Sequence, residues 1–333
     1  MKPKIGIPRG MFYFDYYFLW KNFFNNLDVD VVVSPRTNKD ILNRGVGLAV
    51  DEACLPIKIY HGHVDYLKDK VDYIFIPKMT SIYKKEYCCP KHLGLPDMIK
   101  QSLKDLPPVI DTQINLKKSD ANLKRAVIEI GKHFEKSSRK ILLAYRKAYS
   151  QYQDYLEMLT SKVIPIGINS KFKDLSFITN IKKEKYGRKI LVLGHPYSVY
   201  DSYINMDLID KLNRRGFDAV TVETIDENKL RQYASTLPKR MFWTHGQRIV
   251  GGAFALIEEE SISGIIYISA FGCGLDSVLI DLVERKAKEN RIPFTLLTID
   301  EQTGEAGVDT RVEAFLDMLE WRNKDEIDIS THG

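Results

Sequence analysis

The sequence predicts an α/β fold with parallel sheets, arranged as two Rossmann- or flavodoxin-like lobes. Three observations carry that expectation. Short β-branched runs alternate with longer amphipathic stretches, 333 residues is about twice an ordinary domain, and the alternation lapses once before resuming. Parallel strands need a long crossover, which a helix supplies, so this rhythm reads as an α/β architecture.

Lys4 to Ile7 is apolar and short, and the aromatic-rich stretch Tyr16 to Leu27 after it has helical spacing. Val29 to Val33 is the next strand. Pro56 to Leu67 reads as a helix opened by its proline and leads into the strand Val71 to Ile76. A short apolar run at Pro108 to Ile110 and a helix over Leu123 to Phe134 complete a first lobe, residues 1–137. Ser138 to Leu159 is a long helical pattern, and Gly167 to Arg188 is rich in Lys and Asn with weak periodicity. Residues 138–188 are therefore expected to be a helical linker and boundary. The rhythm returns with strands at Lys189 to Gly194, Ala219 to Val222, Gly264 to Ser269 and Phe294 to Thr298. Helices near Met206 to Arg215 and over Asp276 to Asn290 separate them. The second lobe spans 189–322, with 323–333 as a tail.

Composition narrows the function. Charged residues at 28% and hydrophobic ones at 44% exclude a disordered chain. A net charge of +5 is too mild for a dedicated nucleic-acid binder. No run approaches the roughly 20 apolar residues that span a bilayer, and MKPKIGIPRG lacks the apolar core of a signal peptide. The expectation is a cytoplasmic protein without a membrane partner. In that reducing compartment its four cysteines do not read as a disulfide framework.

The cysteines fall in informative places. Cys54 (DEACLP) directly precedes the helix that Pro56 opens, Cys88 and Cys89 (YCCPK) lie in the loop after a strand, and Cys273 (FGCGLD) joins a strand to a helix. Helix N-termini lower a thiol's pKa, and the strand carboxyl edge is where α/β sheets bind ligands. With no C-x-x-C pair, a structural zinc ribbon does not fit. A cluster held between two lobes does, with an open iron or Cys88 as fourth ligand. Independent buried cysteines are the bland alternative. Cys89 is favoured over Cys88 because adjacent cysteines seldom both ligate one metal and Cys89 precedes a proline.

The segments DEACLPIK, YCCPKHLGLPD, GHPYSVYD, SAFGCGLDS and DEQTGEAGVDTRVEAFLDML together resemble the 2-hydroxyacyl-CoA dehydratase family in its wide sense, and within it a branch described as CoA-substrate-specific enzyme activase-related. The resemblance runs from Lys4 to about Glu320. It places the motif cysteines at Cys54, Cys89 and Cys273, with Cys88 where an apolar residue is more usual. It implies two flavodoxin-like lobes holding a [4Fe–4S] cluster, or in one branch a double-cubane cluster, through three cysteines per cubane. It also implies a separate ATP-dependent activase of actin/Hsp70-type fold that drives single low-potential electrons into the cluster for radical chemistry on an acyl-CoA. Homo- or heterodimers occur in the family. This chain is shorter than the dehydratases and carries no G-x-x-x-x-G-K-[ST] loop, so it is not expected to hydrolyse ATP itself. A cluster-containing assembly subunit without a substrate, and a zinc or thiol-redox protein using the same cysteines, remain the other readings.

Other residues join the candidate site by position. His195, after a strand, can donate to a cluster sulfide or a substrate carbonyl, or simply shape the turn before Pro196; Thr244 and His245 have a similar setting. Glu305, with Glu301, Thr303 and Gly304, forms a polar loop followed by Arg311 and Glu313 on a helix. His195 and Glu305 are the catalytic candidates. Asp51 and Glu52 are expected to cap the Pro56 helix, and Lys78 and Lys91 can balance a cluster's charge. His61 and His63 are two apart on a helix, on different faces, and make a poor metal pair.

Overall fold

The computed structural model describes residues 2–117, 119, 121–160 and 186–330, with side chains described except at 323–330. The boundary expected over 167–188 lies almost wholly outside the described residues. The chain divides into two compact units, one of Met1–Val163 with Leu237–Gln247, the other of Ile164–Thr236 with Arg248–Gly333.

Unit 1 runs β1 (Lys4–Ile7), α1 (Tyr13–Asn25), β2 (Asp30–Val33), α2 (Lys39–Leu48), α3 (Leu55–Leu67), β3 (Tyr73–Phe75), β4 (Lys78–Ser81), α4 (Pro90–Ser102), β5 (Val109–Ile110), β6 (Gln113–Asn115), α5 (Ala121–Lys132) and α6 (Ser138–Thr160). Its sheet is parallel, in the order β2-β1-β3-β5, with Ile5 opposite both Val31 and Tyr73. The aromatic residues of α1 bury against it: Trp20 and Phe24 pack on Phe75, and Phe24 on Phe134. The helix expected over 138–159 is α6. It packs on α1 and α5 within unit 1, and the Tyr152 hydroxyl donates to the Asp15 carbonyl at 2.9 Å. The expected strand over 71–76 is shorter, because beyond Pro77 the chain enters β4, which pairs with β6 in a separate parallel pair.

Unit 2 comprises β7 (Lys189–Gly194), α7 (Pro196–Val199), α8 (Leu208–Arg214), β8 (Asp218–Val220), a 3₁₀ turn (Val222–Thr224), α9 (Glu227–Ala234), α10 (Thr244–Glu259), β9 (Ile262–Ala270), α11 (Gly274–Glu289), β10 (Phe294–Ile299) and α12 (Glu305–Ser330). The first turn of α10 belongs to unit 1. The sheet is parallel throughout, in the order β10-β9-β7-β8. Its central strands β7 and β9 are almost fully buried and read as continuous apolar runs, as strands covered on both faces must. The helix α12 continues past residue 322 into the stretch expected as a tail. No helix among the described residues is long and apolar enough to cross a membrane.

Candidate functional site

In unit 2 the sheet order reverses between β7 and β9. From β7 the chain crosses to β8 on one side and returns to β9 on the other. Such a switch point opens a crevice at the carboxyl ends of the two strands, the place where α/β sheets bind ligands. His195 follows β7 there and Cys273 follows β9. A glycine precedes each. Gly194, at φ 147°, lies so close to β9 that a Cβ would stand 2.5 Å from the Ile268 carbonyl oxygen, and Gly272 turns the chain at φ 73°. Both conformations disfavour other residues. Cys273 is then the N-cap of α11, and its thiol is half-buried.

The side chains meet as a buried group. The His195 Nε2 lies 3.9 Å from Cys273 Sγ, within hydrogen-bond reach of sulfur, and 3.3 Å from Asp276 Oδ1. Asp276, in the first turn of α11, accepts from the Tyr267 hydroxyl at 2.8 Å and the Ser269 hydroxyl at 2.9 Å. The His195 ring stacks on Tyr197, with centroids 5.0 Å apart and planes 5° from parallel. Burial alone lowers the pKa of His195, but the charge and hydrogen bond of Asp276 outweigh it and hold the imidazole well above its ordinary value. Asp276 behaves reciprocally. Burial raises it, yet the charge of His195 and the bonds from His195, Tyr267 and Ser269 keep it below the usual carboxylate value. Tyr267 is pushed up by burial and by that carboxylate, so it remains a donor.

Asp276 and Cys273 face the same imidazole nitrogen. A nucleophile–His–Asp relay needs the acid on the opposite nitrogen from the nucleophile, so this group is not built as a catalytic triad. It can present a cationic N–H to a sulfur. The three ligating atoms of His195, Cys273 and Asp276 also lie within 4.8 Å of one another, a spacing at which a metal ion fits.

Unit 1 places its cysteines on comparable footings. Cys54 is the N-cap of α3 and Cys89 of α4, each with a proline in the first turn. The Cys54 carbonyl accepts from Ile57 N at 2.9 Å, and that of Cys89 from His92 N at 2.9 Å. Both thiols are half-buried. Cys88 differs. It is buried, and burial, reinforced by the charge of Asp15, pushes its thiol far up, so it stays protonated. Tyr87 bridges Trp243, with Tyr87 N donating to the Phe242 carbonyl and Thr244 N to that of Tyr87. This bridge carries Thr244 and His245 to the cysteine loop. The His245 ring lies 5.8 Å from that of His92, and its Nε2 is 3.5 Å from Asp15 Oδ2. A cavity of about 40 Å³ at the carboxyl ends of β1 and β3 is lined by Tyr13, Trp20, Tyr60, Phe75 and His92. Ligand pockets run to hundreds of cubic ångströms, so this one is far too small for a cofactor.

The remaining candidates stand apart from these groups. Glu305 is 64% exposed and ion-paired to Lys211 at 2.8 Å, the placement of a surface pair. Lys78 pairs with Asp97 at 2.8 Å. The capping expected of Asp51 and Glu52 is not taken up: Cys54 occupies the N-cap without any side-chain cap, and Pro56 removes one of the N–H groups that would need one. His61 and His63 are both buried. His61 Nδ1 donates to the Ile57 carbonyl at 2.8 Å, and His63 Nε2 lies 3.0 Å from the Thr37 hydroxyl. Asp276, Tyr267 and Ser269 were not foreseen. Their signal was two polar residues spaced by two in the otherwise apolar run Gly264 to Ala270, which places them on one face of a strand.

Two parallel α/β units, with three cysteines at helix N-caps, define an α/β protein of the Rossmann-like kind. Sequence comparison is more specific. Residues 4–225 match the family described as CoA enzyme activase uncharacterised domain, and residues 178–319 match 2-hydroxyglutaryl-CoA dehydratase, D-component. The first match covers about two-thirds of the chain, and the chain belongs to that family. It is a 2-hydroxyacyl-CoA dehydratase-like protein tied to CoA enzyme activases. Among curated proteins, none matches.

Proposed function

We propose that this protein holds a [4Fe–4S] cluster through Cys54, Cys89 and Cys273 and accepts low-potential electrons from an ATP-dependent activase, for reductive chemistry of the dehydratase type on an acyl-CoA. One observation carries the reading. Three of the four cysteines stand at helix N-caps and are half-buried, while the fourth is buried and its thiol is pushed far up by that burial. Cysteine sulfurs are the ligands that hold such clusters. When bound, such a cluster supplies one-electron transfer at a potential set by its surroundings. The chain's own contribution is to leave three thiols half-buried, to withhold the buried Cys88, and to surround Cys273 with a polar, buried group.

Anaerobic purification with iron and acid-labile sulfide analysis tests this. About four irons and four sulfides per chain are expected, lost in Cys54→Ala, Cys89→Ala and Cys273→Ala and kept in Cys88→Ala. Protein that stays iron-free after anaerobic reconstitution refutes the reading. The close spacing of His195, Cys273 and Asp276 favours a second reading, a single divalent ion such as zinc. That protein would be colourless, and its metal would survive loss of Cys54 or Cys89 but not of Cys273.

A further inference from the structure

We propose that Asp276 is a positioning residue that fixes His195 as the hydrogen-bond donor to the sulfur of Cys273. The inference rests on the cluster reading above and goes beyond it, because it concerns His195 and Asp276, which ligate nothing in that reading.

The geometry leaves Asp276 few alternatives. Its carboxylate is anchored on two sides, Oδ1 by the Tyr267 hydroxyl and Oδ2 by the Ser269 hydroxyl, and both donors sit on the central strand β9. The carboxylate is therefore immobile and aimed. What it is aimed at is Nε2 of His195, 3.3 Å away, in a group where Asp276 is 1% and His195 3% exposed. An imidazole nitrogen beside a fixed carboxylate must carry a proton, since two acceptors at that distance repel. The same nitrogen lies 3.9 Å from Cys273 Sγ, so the proton that Asp276 demands is the proton that faces the sulfur. Stacking on Tyr197 holds the ring in plane. Outer groups of this kind orient ligands and tune metal centres, and hydrogen bonds to sulfur are one of the levers on a cluster's potential.

The test uses Asp276→Asn, which keeps one acceptor, for Ser269, and turns an amide N–H toward Nε2 and the Tyr267 hydroxyl, together with His195→Ala, His195→Gln and the Asp276→Asn/His195→Ala double variant. In cluster-free protein labelled with ¹⁵N-histidine, the wild type should show an exchange-protected Nε2–H resonance for His195, lost in Asp276→Asn. In reconstituted protein, the cluster's midpoint potential, read by EPR-monitored titration, should fall in His195→Ala. His195→Gln, which retains a side-chain N–H, should recover part of that fall. The shift caused by Asp276→Asn should be present with His195 and absent or reversed in sign without it, the coupling expected of a residue that acts through another. An unchanged Nε2–H resonance in Asp276→Asn, or an equal potential shift in both backgrounds, overturns the proposal. A wild type that takes up no iron instead fails the cluster reading and the tuning role with it, while the resonance still reports whether Asp276 holds the proton on His195.

Discussion

Two helices of unit 1 cross so closely that a single methyl group should separate them. An added Cβ at Gly62 of α3 would stand 1.9 Å from the Ile41 carbonyl oxygen of α2, and one at Gly45 of α2 would stand 1.8 Å from the Lys58 carbonyl oxygen of α3. Each glycine is thus the seat for the other helix's backbone. Ordinary contact begins near 3.4 Å, so Gly62→Ala requires the pair to part by about 1.5 Å. The backbone cannot yield as a side chain could. In favour of the alanine stand about 1 kcal/mol of helix propensity and roughly 0.8 kcal/mol for a buried methyl. Against it stand the loss of much of Ile41's packing, about 2 kcal/mol for a residue 1% exposed, and an overpacking penalty of about 1–3 kcal/mol. The parting also breaks contacts elsewhere along a helix whose side chains are buried from Leu55 to Val64. We expect a net destabilisation of about 3 kcal/mol, read as a fall in the urea midpoint and as faster amide exchange in α2 and α3.

Gly47, two residues further along α2, is an internal control. A Cβ there meets nothing within 4 Å, so Gly47→Ala should be neutral or stabilise by up to about 1 kcal/mol. Because Cys54 is the N-cap of α3, Gly62→Ala should also lower iron retention under the cluster reading, and Gly47→Ala should not. If Gly62→Ala is as stable as Gly47→Ala, the close crossing is not what seats Cys54, and the reasoning fails.

Burial, followed by the charge of Arg9, holds His63 at about 3. The unfolded imidazole titrates near about 6.5, so the folded value is depressed. The stability this contributes is complete above 6.5 and is lost as pH falls toward 3, at about 1.4 kcal/mol per unit. His63→Phe should remove that slope, so urea melts at pH 6.5 and 4.5 should differ by roughly 2–3 kcal/mol less in the variant than in the wild type; equal differences in both would count against a buried neutral His63. In folded, cluster-free protein, iodoacetamide should label Cys54, Cys89 and Cys273 and spare Cys88, as peptide mass spectrometry would read; prompt labelling of Cys88 contradicts its burial. Asn38 caps α2 by accepting from Ile41 N at 3.1 Å, so Asn38→Ala should cost about 1 kcal/mol in thermal or urea unfolding.

The strands that read most plainly from sequence are those whose burial is continuous. Lys189 to Gly194 is β7 residue for residue, and Phe294 to Thr298 lacks only the last residue of β10. What stayed hidden has specific causes. Helix α2 presents only Ile41 and Gly45 to the interior, so its apolar stripe is too thin to show a period. Helix α4 contains Pro90, Gly94 and Pro96, which read as loop punctuation although a first-turn proline is tolerated. Strands β4 and β6 are short and largely polar, and each is legible only through its pairing with the other.

The candidate site divides along the same line. The cysteines were legible because a thiol before a proline or between glycines declares a helix start. The group around Cys273 was not, because it depends on strand order. His195 and Cys273 are 78 residues apart and meet only because β9 pairs beside β7 while β8 takes the other edge. Asp276 was hidden differently. An aspartate in the first turn of a helix is ordinarily there for the helix dipole, so its position in the sequence carries no signal of a buried site. Yet a dipole-stabilising aspartate faces water, whereas this one is 1% exposed and faces a histidine, a tyrosine and a serine. Burying a carboxylate is costly unless its partners are fixed, and here two partners come from the most buried strand of the unit. A carboxylate held that firmly, beside an imidazole that touches a cysteine sulfur, is poorly explained by helix stability alone and well explained by the demand that one proton remain in one place.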